Sequence, residues 1–264
     1  MNFLDVENKS YYIAGVANKK SVAYHTAKVL LENGAKVIFS AQNDKNLSSI
    51  DKLFPDSPKF ILDVENEADL KLVKKNILKH TDTLHGFVHS MAFANFSNGL
   101  VPFHETLRAD YLQACQISSF SLVEISNQIS TLLTENASIV TVSISNTQAT
   151  SYGYLGPIKA MLETTVKYLA KSFSLDKSVR VNSVGAGPLK TSASAGIPNY
   201  IENYFYSEAL TLRKQSLQTI EVANTICFLL STKSSGINGE NIIIDAGMSS
   251  NYFDQEIVQK FSQT

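Results

Sequence analysis

The sequence lacks most of the features that would direct it to nucleic acid, membrane or metal. Its 23 basic and 24 acidic side chains leave a formal charge of -1 and are mixed along the chain, so there is no basic stripe for phosphodiesters and no polybasic anchor. No apolar run reaches membrane-spanning length, and the opening MNFLDVENKS has no cationic stretch followed by an apolar one. These absences predict a cytoplasmic chain whose partner is a small molecule or a modest protein surface, with no nucleic acid and no membrane. Cysteine is scarce: Cys115 and Cys227 stand far apart in helical-looking segments without metal or redox spacing, which reads as two buried thiols in a reducing compartment. The five histidines, His25, His80, His85, His89 and His104, show no HExxH-type spacing, so no metal site is expected. His89 closes an apolar run and reads as a satisfied core histidine. Neither a low-complexity block nor a short-period repeat interrupts the 264 residues, and a 44% apolar content suffices for one large core, hence a single domain over 1–264.

What is present is alternation. Short β-branched runs at 11–14, 36–40, 60–62, 86–88, 139–142, 179–184 and 242–244 are separated by helical patterns at 21–31, 70–78, parts of 107–133, 158–173 and 220–230. This predicts an α/β fold, Rossmann-like and doubly wound, with a mostly parallel sheet and helices on both faces. Ligands of such sheets lie beyond the carboxyl ends of the strands, near the point where strand order reverses. Gly15, Ser21, Gln42, Asp63, Ser90, Ser143 and the loop after Val184 fall just past strand ends and are expected along one edge.

Chemistry gathers around Tyr152 and Lys159. The segment GPIKAMLETTVKYLAKSF places Ile158, Leu162, Val166, Leu169 and Phe173 at helical spacing. Seven residues on one helix are almost two turns, which predicts both side chains on the same face, separated by roughly 10 Å of rise. An ammonium beside a phenol favours the phenolate and predicts a lowered pKa. At the first turn, GVANKKSVA offers Gly15 and the helix opening near Ser21 to a pyrophosphate but lacks a full GxGxxG; as bare pattern it fits an ordinary strand-to-helix turn better than a phosphate cradle. After the second strand, Gln42 supplies an amide and no cation. This favours NADH, while nearby Lys45 keeps NADPH open.

With these positions placed, the sequence resembles the bacterial enoyl-acyl-carrier-protein reductases, a divergent branch of the short-chain dehydrogenase/reductases. The resemblance rests on GVANKKSVAYHTA (15–27), QNDK (42–45), GFVHSMAFA (86–94), ISSFSL (117–122), YGYLGPIKAMLE (152–163), VRVNSVGAGPLKT (179–191), SAGIPNY (194–200) and SSGINGENIIIDAG (234–247). Tyrosine seven residues before lysine, rather than four, is the mark of this branch. The resemblance implies that Gly15, Ser21 and Val22 hold the pyrophosphate, with Gln42 beside the adenosine ribose, Asp63 and Val64 bordering the adenine, and Ser90 and Met91 at the cofactor. Lys159 would grip the nicotinamide ribose, while Leu189, Lys190, Thr191, Ser192 and Ala193 close over the nicotinamide. Ala94 would meet the acyl thioester and Tyr152 its carbonyl. Phe93, Tyr154, Ile197, Tyr200, Phe205 and Tyr206 are candidates to line an acyl slot, or else to pack a covering loop and helix at about 191–212 onto the body or a neighbouring subunit. The implied partners are acyl carrier protein or another acyl thioester, and the implied assembly is a homotetramer.

Three positions depart from the family's pattern. Ile144 stands where a further tyrosine is usual, so Ser143, Ser145 or Asn146 would have to supply a missing polar contact. Ala92 replaces a common glycine, and Pro157 enters the helix that follows Tyr152, at small cost if it lies in the first turn. Two other readings stand beside the enoyl reductase: a carbonyl-reducing short-chain dehydrogenase, and a catalytically impaired NAD-binding paralogue with a regulatory or assembly role.

Overall fold

The computed structural model describes residues 3–99, 101–191, 194 and 200–262. Seven strands, β1 (Ser10–Ala14), β2 (Lys36–Ala41), β3 (Lys59–Ile61), β4 (Leu84–His89), β5 (Leu133–Ile144), β6 (Arg180–Ala186) and β7 (Asn241–Ile244), form one sheet in the order β3-β2-β1-β4-β5-β6-β7. Every neighbouring pair is parallel, so a sheet expected to be mostly parallel is wholly so. All strand ends that carry functional candidates therefore lie on one side, and the order reverses between β1 and β4.

The pleat of β1 explains the two layers of helix. Tyr11 and Ile13 point into a core shared with α1 (Val22–Glu32), α2 (Asp44–Leu53) and α8 (Thr219–Leu230). Tyr12 and Ala14 point into another core, shared with α3 (Glu67–Leu78), α5 (Ser121–Ile129) and α6 (Leu155–Phe173). A central strand buried on both faces has no polar side to show, which is why its five residues are all buried. The buried phenol of Tyr12 is satisfied: its Oη and Ser40 Oγ are 2.7 Å apart.

Several boundaries differ from the sequence reading. β5 begins six residues early, because polar Thr134, Glu135 and Asn136 break the apolar run while Leu133 still pairs with Leu84 across a register irregularity. α2 escaped notice since DKNLSSIDKL buries only Ile50, although its cap Asn43 accepts from Asn46 N at 3.0 Å. The broad helical pattern from 107 resolves into α4 (Arg108–Cys115), a π-helical turn Gln116–Phe120 and α5. Two further helices, α7 (Tyr200–Leu210) and α9 (Gln255–Ser262), complete the described chain. Cys227 is fully buried as expected, whereas Cys115 is only half-buried. Among the described residues no helix is long and apolar enough to cross a membrane.

Candidate active site

The cleft opens where β1 and β4 part. Gly15 has φ +105°, and a Cβ built on it would lie 2.0 Å from Ser90 O. Ser90 N in turn donates to Ala14 O at 3.0 Å. No side chain fits between those backbones, so glycine here is a steric requirement. Beyond it, Ser21 caps α1, accepting from Tyr24 N at 3.3 Å and donating to Asn18 O at 2.7 Å. This cap uses one amide of the first turn. The earlier amides, Val22 and Ala23, remain at the positive end of the helix, where a phosphate is favoured.

Along the same edge, Gln42 is exposed directly after β2, and Asp63 and Val64 follow β3. Asp63 shapes its turn by accepting from Glu65 N at 3.1 Å, and Val64 is buried with its carbonyl accepting from Gln116 Nε2 at 3.3 Å. Ser90 and Met91 are half-buried after β4. Phe93 is 44% exposed, but its backbone is held: Ser118, inside the π-helical turn, accepts from Phe93 N at 2.9 Å and donates to Phe93 O at 3.0 Å. Sequence periodicity could not reveal that clamp, because it depends on the extra residue in the turn.

Tyr152 and Lys159 are not carried on one continuous helix. Tyr152 ends a 3-10 turn (Thr150–Tyr152), Gly153 breaks the chain direction at φ 58° and ψ -150°, and α6 starts only at Leu155. The expected continuous two-turn helix is therefore incorrect. Pro157 occupies the third position of α6, inside the first turn, where its missing N–H removes no helical hydrogen bond. The expected lowering of the phenol's pKa is also overturned: burial, then the neighbouring phenol of Tyr200, push it well above the usual tyrosine range. Tyr152 is thus a neutral donor at physiological pH.

Lys159 is 5% exposed, and its Nζ donates to Val142 O at 2.8 Å. Burial lowers its pKa to about 8, with Glu163 acting in the opposite direction. An ammonium has three N–H groups, and Val142 O takes one of them. Two further donors in a buried setting fit a pair of adjacent hydroxyls such as a ribose diol. Ser143, expected past the strand end, lies within β5 and donates to Glu163 Oε1 at 2.7 Å; it is not free for a substrate. Ile144 is half-buried and pairs with Ala186, and Asn146 Oδ1 is used by Gln148 N at 2.9 Å. Ala92 is exposed.

His89 lies near Lys159, fully buried. Ser121 Oγ donates to Ile117 O at 2.7 Å and so accepts from His89 Nε2–H at 2.8 Å, leaving Nδ1 to accept from Thr141 Oγ1 at 2.8 Å. The ring is neutral, and burial, then the charge of Lys159, lower its pKa to about 3.

On the far side, Tyr200 at the start of α7 is buried against Leu189, and Thr191 N donates to Ser194 Oγ at 2.9 Å. Lys190 is exposed, with Nζ 4.3 Å from the ring centre of Tyr204 and 5.0 Å from that of Phe205. Phe205 and Tyr206 are 57% and 56% exposed. Ser192, Ala193 and Ile197 lie outside the described residues. Tyr154 is buried, donates to Asn95 O at 2.5 Å and packs with Ala94, Phe96, Tyr111 and Ala114. Beside it, a cavity of about 270 Å³ is bordered by Phe96, Leu107, Asp110 and Gly153; Tyr152 and Lys159 are not among its walls.

A wholly parallel doubly wound sheet, with a phenol and a buried ammonium beyond the ends of its middle strands, defines the short-chain dehydrogenase/reductase class. Within it, a family model described as enoyl-(acyl carrier protein) reductase matches residues 15–249. The chain belongs to that family. It is 35% identical over 251 residues to an enoyl-acyl-carrier-protein reductase (NADPH) of Staphylococcus aureus strain MRSA252, covering 92% of this chain and 98% of that one. It is also 35% identical over 246 residues to the NADH counterpart of Enterococcus faecalis, again covering 92% and 98%. Among solved structures, the NADH enoyl reductase of Aquifex aeolicus VF5 superposes with a TM-score of 0.88 at 29% identity, covering 92% and 97%.

Proposed function

We infer that this chain reduces the carbon–carbon double bond of a trans-2-enoyl thioester carried by acyl carrier protein, as a cytoplasmic step of fatty-acid synthesis. The observation that carries this reading is the neutral Tyr152 phenol preceding the buried Lys159 by seven residues in a chain of this family. Gly15, Ser21 and Val22 would hold the pyrophosphate of a nicotinamide dinucleotide, Gln42 its adenosine ribose, Asp63 and Val64 its adenine, Lys159 its second ribose, and Leu189 to Ala193 its nicotinamide end. The exposed neutral amide of Gln42 supports NADH, although relatives of both kinds exist. Bound there, the reduced cofactor supplies the hydride for the β-carbon.

Tyr152 donates a hydrogen bond to the thioester oxygen, where negative charge develops as the enolate forms. A phenol whose pKa is raised keeps its proton to make that bond. Lys159 orients the ribose and places a positive charge nearby. The α-carbon takes its proton from Tyr152 or water. Ala94 and Phe93 border the thioester, and Tyr200, Phe205 and Tyr206, with Tyr154, belong to the apolar surround of the acyl chain in this reading.

A homotetramer is part of the same inference. It is supported by the exposed apolar side chains Leu112 and Phe120, at 58% and 51%, and Tyr168, at 76%, which a monomer would leave in water. Light scattering giving a monomer at micromolar concentration would remove it.

The deciding experiment follows NADH absorbance with a medium-chain enoyl thioester. Tyr152→Phe is expected to bind NADH normally and to lose roughly a hundredfold in kcat. Faster turnover of a keto thioester would instead indicate a carbonyl reductase. NADH binding without turnover by the wild type would indicate an impaired paralogue.

A further inference from the structure

The Lys159 ammonium does not stand alone on α6. Glu163 lies four residues on, on the same helix face. β5 seats both: Val142 O accepts from Lys159 at 2.8 Å, and the next residue, Ser143, donates to Glu163 Oε1 at 2.7 Å. Lys159 and Ser143 are 5% and 2% exposed, so this seat is sheltered from water, and charges that face each other there are weakly screened.

A buried ammonium sheds its proton more readily than a solvated one. Burial draws Lys159 down, and the carboxylate of Glu163 opposes it. Glu163 is half-buried; burial raises its own pKa, whereas the Ser143 hydroxyl, Lys159 and Lys167 favour its ionised form. The remaining titratable group that faces Lys159, His89 on β4, adds no charge because its ring is neutral.

We propose that Glu163, seated by Ser143, is a positioning residue for Lys159, holding the ammonium charged at the edge of β5 so that its two remaining N–H groups meet the hydroxyls of the cofactor's ribose. The inference rests on Lys159 as the ribose-binding residue, and its test can be separated from that of the enoyl chemistry.

The test titrates the full-length protein with NADH, by nucleotide fluorescence, from pH 6.5 to 9.5. Wild-type affinity is expected to fall as Lys159 loses its proton. Glu163→Gln keeps the shape and the hydrogen bond to Ser143 but removes the charge; it should move the midpoint of that fall to lower pH by roughly 0.5–2 units. Glu163→Asp should bring it back toward the wild-type value. With an enoyl thioester, Glu163→Gln should lose about tenfold in kcat/KM at high pH and much less at pH 6.5.

An unmoved midpoint, or an equal loss of affinity at every pH, overturns the proposal, because packing alone would act uniformly. Should Glu163→Gln not fold, Ser143→Ala carries the test: it keeps the carboxylate but unseats it, and a midpoint identical to wild type also overturns the proposal. A Lys159→Met variant that binds NADH as tightly as wild type takes down the ribose assignment and this inference together. A shifted midpoint in a protein that reduces no enoyl thioester supports the inference while removing the enoyl reading.

Discussion

The hydroxyl of Tyr200 accepts from Leu189 N at 2.8 Å and donates to Leu189 O at 2.9 Å, locking the first residue of α7 to the loop after β6. Leu189 O also accepts from Ser194 Oγ at 2.8 Å and from Thr191 N at 3.1 Å, so what the phenol alone satisfies is the buried Leu189 N–H. Tyr200→Phe should therefore destabilise the protein by about 1–3 kcal/mol, the cost of stranding one buried N–H. It should also weaken NADH binding, since Leu189 begins the loop proposed to close over the nicotinamide. Denaturant unfolding and NADH titration check both parts; unchanged values in each would show that the loop holds itself.

The contact between Gly15 and Ser90 leaves even less room. Alanine at position 15 would put a methyl 2.0 Å from Ser90 O at a φ of +105°, so one of the two strand ends must move, at a cost on the order of 3 kcal/mol. Gly15→Ala is expected to lower the unfolding midpoint and weaken NADH binding more than tenfold while far-UV circular dichroism stays native. Wild-type affinity in a well-folded variant would show that the apposition of β1 and β4 is dispensable for the cofactor.

His89 makes stability depend on pH. Its folded pKa is lowered to about 3, against about 6.5 in an unfolded chain. Between these values the unfolded state holds a proton that the folded state refuses, so stability falls as pH drops from 6.5 toward 3, by up to about 1.4 kcal/mol per pH unit. His89→Gln cannot titrate and should show a shallower fall. The measurement is urea unfolding at several pH values, and parallel curves for the two proteins would refute the assignment.

Gln42 should set the choice of cofactor. Wild type is expected to use NADH in preference to NADPH, because no arginine meets a 2′-phosphate at this position. Gln42→Arg should raise kcat/KM for NADPH by roughly tenfold, in line with one charged hydrogen bond, with little change for NADH. A wild type that already prefers NADPH would transfer the discrimination to Lys45 or beyond.

Much of this protein is written in local pattern. Hydrophobic periodicity marked all seven strands and most helices, because burial on both faces leaves a run of apolar residues wherever a strand crosses the centre, as in YYIA at 11–14. The spacing from Tyr152 to Lys159, with the motifs around it, was enough to find the family. α2 was missed because it buries a single residue, which leaves almost no periodic signal.

The state of the site was not legible in that way. Neutrality of Tyr152, the break at Gly153, the clamp of Ser118 on Phe93 and the seat of Glu163 on Ser143 each join residues that lie on different elements or turn on one backbone angle. Residue type and spacing decide which side chains can reach a cleft. Proton affinity and orientation there depend on how much water is excluded and which neighbours face the group, and those follow from packing between segments far apart in the chain.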